Sequence, residues 1–225
     1  MDLKKLMFFV AVLFFSFNST AQRVWEGQYN RLGLQVGANH FNIHTNELAV
    51  TGKTSWTAGF TARASFYNDF QFVYGINFFD FNVDMTGREK LAQDSPFEAI
   101  PYNMIGVQAN FFGSYKLYSH YVSVEAGPVL QVNGKLEPRQ DKELSYVGNY
   151  NVQAIDIENV SPVNVNLAVG LSGGLESFKL GVQYQYGINN FLNPLNDEGL
   201  DEKDGSLPNF KGNMSLIVAT LTMYL

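Results

Sequence analysis

The sequence predicts an all-β fold: an eight-stranded, antiparallel, up-and-down transmembrane β-barrel, preceded by a cleavable signal peptide. Three observations carry that expectation. Eight segments alternate apolar and polar side chains with the period of a strand. The connections between them run long, short, long, short, long, short, long, as they do when tight turns gather at one end of a barrel and long loops at the other. As phased, the apolar faces carry no charged residue, and a charge there would cost about 2–4 kcal/mol at mid-membrane.

The first 21 residues are read separately. Lys4 and Lys5 form a basic n-region, Leu6 to Phe17 a short apolar run, and Ser19-Thr20-Ala21 a cleavage site before Gln22. The apolar run is too short to span a bilayer as a helix. Its removal takes away Asp2, Lys4 and Lys5 and carries the net charge from −6 to −7. Residues 22–225 are then the barrel domain. No other segment has the length of apolar chain a spanning helix needs, so any span in it must be a strand.

The first strand is expected over Arg31–Asn39, with Leu32, Leu34, Val36 and Ala38 outward, followed by a polar loop from His40 to Ser55. The second, Trp56–Tyr67, puts Trp56, Ala58, Phe60, Ala62, Ala64 and Phe66 on one face. Asn68-Asp69 signals a tight turn. The third strand, Phe70–Asn77, has Phe70, Phe72, Tyr74 and Ile76 outward. Its phase then slips at Phe78-Phe79, so that Phe79, Phe81 and Val83 become the apolar set and a bulge is expected. Val83 to Pro101 reads as a long loop. The fourth strand covers Ile105–Lys116 and the fifth Tyr121–Asn133. After the longest loop, Gly134–Ser161, the sixth covers Val163–Ser172, and the seventh Lys179–Asn189. A long acidic loop, Asn190–Phe210, leads to the eighth, Lys211–Leu225. Aromatics near the strand ends suggest two interfacial girdles: Phe66, Phe70, Tyr115, Tyr121, Phe178 and Tyr224 towards the turns, Trp56, Tyr102 and Tyr186 towards the loops.

Composition narrows the function classes. Charged residues make up 16% and aromatics 15% of the 225, against about 25% charged in soluble domains. A net negative chain offers no basic patch for nucleic acid. With no cysteine there is no disulfide, thiol nucleophile or thiolate metal site.

Glu125-Ala126-Gly127-Pro128 in the fifth strand and Tyr184-Gln185-Tyr186-Gly187-Ile188 in the seventh resemble stretches of the PorT-like small outer-membrane β-barrel family of Bacteroidota. The ending, Tyr224-Leu225, departs from the terminal aromatic of most such barrels. The resemblance implies the cell outer membrane as location. It also implies contact with outer-membrane lipid and lipopolysaccharide, and a possible place beside envelope or secretion-complex proteins. PorT itself is associated with type IX secretion.

One pair of charges stands out inside the expected barrel. Arg63 and Glu125 face inward at similar depth, each about four residues from a short turn, and a lone buried charge is costly. An Arg63–Glu125 ion pair across the lumen is therefore expected, with Gly75 opposite Arg63 leaving room for it. Arg31, Lys116 and Lys179 also point inward, but near a rim where water reaches them. Pro128 lacks an N–H, so a bulge or one missing ladder bond is expected beside Glu125.

Other candidates are weaker. His40 and His44 lie four apart, but no helical pattern or third ligand accompanies them, and no metal or cofactor is expected. A lipid-modifying enzyme would need His, Ser and an acid together, and no such set converges by phase. Asp197, Glu198, Asp201, Glu202 and Asp204 lack the spacing of a calcium loop and read as a solvated acidic loop; loose ion bridging to lipopolysaccharide is the alternative. The expected role is a non-catalytic outer-membrane protein, structural or a scaffold. An accessory of type IX secretion and a lipid-modifying enzyme are the alternatives.

Overall fold

The computed structural model describes residues 30–91 and 94–225, so the expected signal peptide lies outside the described residues. Ten strands form: β1 Arg31–His44, β2 Val50–Ala64, β3 Phe70–Arg88, β4 Glu98–Tyr118, β5 Val122–Asn133, β6 Glu137–Pro138, β7 Tyr146–Val147, β8 Val163–Gly174, β9 Phe178–Gly187 and β10 Asn213–Tyr224. Eight of them make a ring in the order β1-β2-β3-β4-β5-β8-β9-β10, every neighbour antiparallel. Pairing of β1 with β10, from Gly33↔Tyr224 to His44↔Asn213, closes it. Closure leaves no ring strand with an open edge, which is how a sheet satisfies its backbone away from water. Among the described residues no helix is long and apolar enough to cross a membrane.

Tight turns at residues 65–69, 119–121 and 175–177 gather at one end. Ser65 and Ser119 take left-handed backbone there, with φ of 57° and 48°. The turn at Ser65 breaks the alternation, and Phe66, expected outward, instead tucks inside at 1% exposure. Tyr102 and Tyr224 are also buried inside. The girdle aromatics that do face outward are Phe70, Tyr115, Tyr121 and Phe178 near the turns and Trp56 and Tyr186 near the loops.

The outer wall is apolar over a limited height. On β3 the exposed outward set is Phe70, Phe72, Tyr74, Ile76 and Phe78, a nine-residue span. That matches the roughly 9–11 residues a tilted strand needs to cross a bilayer. Beyond Phe78 the outer wall turns polar: Asp80 accepts hydrogen bonds from Ser55, from Asn82 at 3.0 Å and from Asn103 at 2.5 Å. Lys53 pairs with Asp84 at 2.7 Å. The uncharged outer face therefore ends at Phe78, because the strands continue past the belt.

The expected phase slip and bulge in β3 do not occur. Its ladder with β4 keeps one register from Phe70↔Tyr115 to Gly87↔Glu98. Phe78 faces out at 47% exposure and Phe79 faces in at 2%. What changes at Phe78-Phe79 is the solvent on each side of the wall, not the phase of the strand. Below this point lipid-compatible groups face out and polar groups face in; above it the assignment inverts. The irregularity lies instead in β2, between Gly52 and Thr57.

Above the belt the barrel encloses a second kind of interior. Phe41 and Ile43 of β1, Phe79, Phe81, Val83 and Met85 of β3, Ile100 and Met104 of β4, and Leu216 and Val218 of β10 are buried together. Residues 134–162 contribute Leu136, Val152, Ile157 and Val160, and residues 188–212 contribute Phe191, Leu192, Leu195 and Phe210. Two expected loops are thus largely strand: β1 and β2 fill most of residues 40–55, and β3 and β4 most of 83–101. The residues read as polar loop line an apolar crown core on one face and water on the other. Stacked Phe79 and Phe81 rings, 5.3 Å apart, sit at its base.

Pro128 gives a mixed outcome. Towards β8 pairing is regular through Pro128↔Leu167. Towards β4 the ladder lapses between Gly113↔Ala126 and Asn110↔Val129 with the register unchanged, so there is a gap and no bulge. The strands crowd beside it: a Cβ at Gly127 would lie 2.1 Å from the Phe111 carbonyl oxygen. Only glycine lets the backbone approach that closely.

The two interiors predict separable stability. Phe81→Ala removes a fully buried ring from the crown and should cost about 3–5 kcal/mol there. Limited proteolysis should then cut within residues 134–162 while the ring below keeps its heat-modifiable gel migration.

Candidate functional site

The lumen is built in layers by inward residues of the ring. Nearest the turns, Phe66 folds across the opening, with the Arg31 guanidinium 4.4 Å from its ring centroid and the Lys116 Nζ 5.8 Å away. Above it lies a charged hub centred on Arg63, which is 2% exposed. Its Nη2 lies 2.5 Å from Glu125 Oε1. Nη1 donates to Gln71 Oε1 at 2.9 Å and to Ser114 Oγ at 3.0 Å, and Nε donates to the Tyr224 hydroxyl at 3.2 Å. Ser172 Oγ donates to Glu125 Oε1 at 2.6 Å. One guanidinium from β2 thereby reaches β3, β4, β5, β8 and β10. All three of its nitrogens are engaged, which is what makes a buried cation tolerable.

The structure thus brings Arg63 and Glu125 together. Gly75 is not opposite Arg63: it pairs with Thr61, and Val73 faces Arg63 across the ladder. Lys179, expected at a wetted rim, is instead 3% exposed, its ammonium donating to the His120 carbonyl at 2.5 Å. Arg31 bonds Glu176 at 2.8 Å. Gln71, Ser114, Ser172 and Tyr224 were missed as hub members. Inward phase at matching depth was the available signal, but it does not say which side chains reach the centre.

A thin apolar layer of Val73, Phe112, Val129 and Ala168 crosses the lumen above the hub. Higher still, side-chain amides bridge the wall: Gln108 to Gln131 at 2.8 Å, Gln185 to Gln108 at 3.1 Å, Asn164 to Asn133 at 2.8 Å and Asn189 to Asn164 at 2.7 Å. Amides satisfy one another without net charge and offer no proton donor or nucleophile of catalytic use. The cavity beside Arg63, Glu125 and Lys179 holds about 50 Å³. That is room for a few waters. Among the described residues, hub, apolar layer, amide layer and crown follow one another along the interior from the turns upward.

The outer candidates fall elsewhere. His40 and His44 both face outward on β1, with Cα atoms about 13 Å apart at about 3.3 Å per residue. His40 Nδ1 contacts Thr54 Oγ1 at 3.2 Å. His44 Nε2 lies 2.8 Å from Ser215 Oγ, so one His–Ser pair does converge, across the β1–β10 seam that sequence phasing alone did not align. The acidic loop is folded rather than merely solvated: Glu198 bonds Asn159, and Asp204 accepts the Asn151 N–H at 2.9 Å. Hydrogen bonds from the Ser206 side chain and from backbone N–H groups hold the Asp204 carboxyl below its ordinary pKa. Among the described residues no three His, Cys, Asp or Glu groups converge as a metal ion would require.

No family model matches the chain, and no curated protein matches it. Several solved structures are similar in layout. Neisserial surface protein A is 12% identical, with 85% of this chain and 96% of that one covered, at a TM-score of 0.46. Ail, the attachment invasion locus protein of Yersinia pestis, is 10% identical over 87% and 99%, at 0.46. The outer membrane protein OprG from Pseudomonas aeruginosa is 8% identical over 88% and 96%, at 0.43.

Arg63→Ala should destabilise the barrel by about 3–5 kcal/mol, because it strands the Glu125 carboxylate in the lumen. The double variant Arg63→Met, Glu125→Leu should recover most of that loss. Urea unfolding followed by tryptophan fluorescence measures both, and equal losses in single and double variants would contradict a coupled pair.

Proposed function

We propose that the protein is a non-catalytic integral outer-membrane β-barrel, exported through cleavage of residues 1–21, that acts as a structural or scaffold subunit of an envelope complex. The observation that carries this reading is the exposed apolar belt, bounded at Phe78 by the polar row Asp80, Asn82 and Asn103. Such a surface is costly in water and suited to lipid. The layers of side chains that cross the lumen argue against bulk transport, and they favour a role carried by the outside of the molecule. With the long loops outside the cell, the crown would be a folded platform above the membrane rather than a set of loose loops. It carries 16 Asp and Glu against 8 Lys and Arg over residues 40–55, 79–104, 134–162 and 188–213.

The finer reading, an accessory of type IX secretion, rests on the PorT-like stretches. Glu125 serves the hub, and Gly127 and Pro128 lie at the close approach of β5 to β4. The motif therefore has structural reasons of its own, and a scaffold is the reading the geometry favours.

The folded protein should migrate faster on gels before boiling than after, fractionate with outer membranes, and give no stepwise conductance in a planar bilayer. Recovery in the soluble periplasmic fraction would overturn the membrane reading. Co-purification of secretion components from native membranes would move the scaffold reading to the type IX accessory.

A further inference from the structure

The polar rim just above the belt is not uniform. On the β3–β4 side it is acidic, with Asp80 and Asp84 outward. On the β1–β10–β9 side it is made of imidazole, amide and hydroxyl groups. Strand pairing sets their order: His40 stands beside Ile217 and Thr54, Asn42 beside Ser215, and Ser215 beside Tyr186. His44 reaches diagonally down to Ser215, and its ring lies 6.5 Å from that of Tyr186. Directly beneath are Ala38, Ala219 and Trp56, the upper edge of the apolar belt.

Each histidine has one ring nitrogen at a hydroxyl, which leaves the other for a ligand. In a crown with twice as many carboxylates as Lys and Arg, this sector places no carboxylate on the outer wall between the belt and His44. An anion therefore meets least repulsion here, and each imidazole, its other nitrogen accepting from a hydroxyl, presents one N–H to its oxygens. Acyl transfer at Ser215 is disfavoured by the wall itself. Ser215 is buried, and the surrounding strands pair on both sides of β10, so their N–H groups are not free to form an oxyanion hole.

We propose that His40 and His44, oriented by the hydroxyls of Thr54 and Ser215 respectively, bind the phosphate headgroup of an anionic lipid of the outer leaflet, its chains lying on the belt below. This inference rests on the membrane-barrel reading above. It assigns the β1–β10–β9 seam as the lipid-recognising side and leaves the acidic β3–β4 side for other contacts.

The test uses the full mature chain in nanodiscs, with native mass spectrometry of retained lipid. Phosphatidylglycerol is the anionic probe and phosphatidylcholine the zwitterionic control. Wild type should retain phosphatidylglycerol preferentially. His40→Gln with His44→Gln should weaken that retention about tenfold or more, the scale of lost charge-assisted hydrogen bonds. Asp80→Asn should leave it unchanged. Equal retention by wild type and the double variant would overturn the proposal, as would equal loss of both lipids. Tight binding of inorganic phosphate in lipid-free detergent would overturn the lipid as the source, and release of fatty acid would overturn a binding role. Heat-modifiable migration of each variant shows that the ring is intact. A variant that keeps it yet shows no lipid difference refutes the site alone, whereas failure of wild type to enter membranes refutes the barrel reading.

Discussion

Closure of the sheet between β1 and β10 is the constraint on which the rest depends. Once the ring is shut, every ring strand has two neighbours and its side chains have two destinations, wall or lumen. The same alternation then serves two environments in succession. Along the belt the wall is apolar and the lumen polar. In the crown the wall is polar and the interior is packed with Phe, Met, Leu, Ile and Val as in a water-soluble core. β3 passes through both without a break, so a nineteen-residue strand belongs to two differently solvated structures.

The hub at Arg63 matters because a closed polar lumen is otherwise a weakly specified space. A guanidinium has five N–H donors in a fixed plane, and its neighbours here come from five other strands. Breaking such an arrangement leaves a charge without compensation, whereas replacing the whole arrangement with apolar groups does not. The hub therefore acts as a specifying element: it selects one packing of the turn end, with Phe66 beneath and the Val73 layer above.

On the surfaces above and around the belt charge is sorted by position. The crown as a whole is acidic, with ion pairs such as Lys203–Asp156 at 2.8 Å tying the two long loops together. Exposed pairs of this kind contribute little each, and the buried crown core is the larger reason the loops are folded. The histidine-bearing seam interrupts the acidic rim where β1 meets β10. The outer wall above the belt therefore differs from one side of the barrel to the other.

The sequence by itself determined the number of ring strands, the phase of nearly every strand within the belt, and the sorting of short and long connections; the short β6 and β7 lie inside what reads as loop. Each follows from a local two-residue period or from turn composition. It also singled out Arg63 and Glu125, because two inward charges at like depth are conspicuous in a lumen of Gly, Asn, Gln, Ser and Thr. The tertiary structure decided what lay beyond the belt. Phe79, Phe81 and Val83 read as a slipped outer face because a lipid boundary cannot be seen in periodicity: the pattern is the same whichever side is wet. The residues that complete the hub, and the meeting of His44 with Ser215, depended on register between strands distant in sequence. That register is fixed by ring closure and by packing in the crown, so no local pattern in the chain carries it.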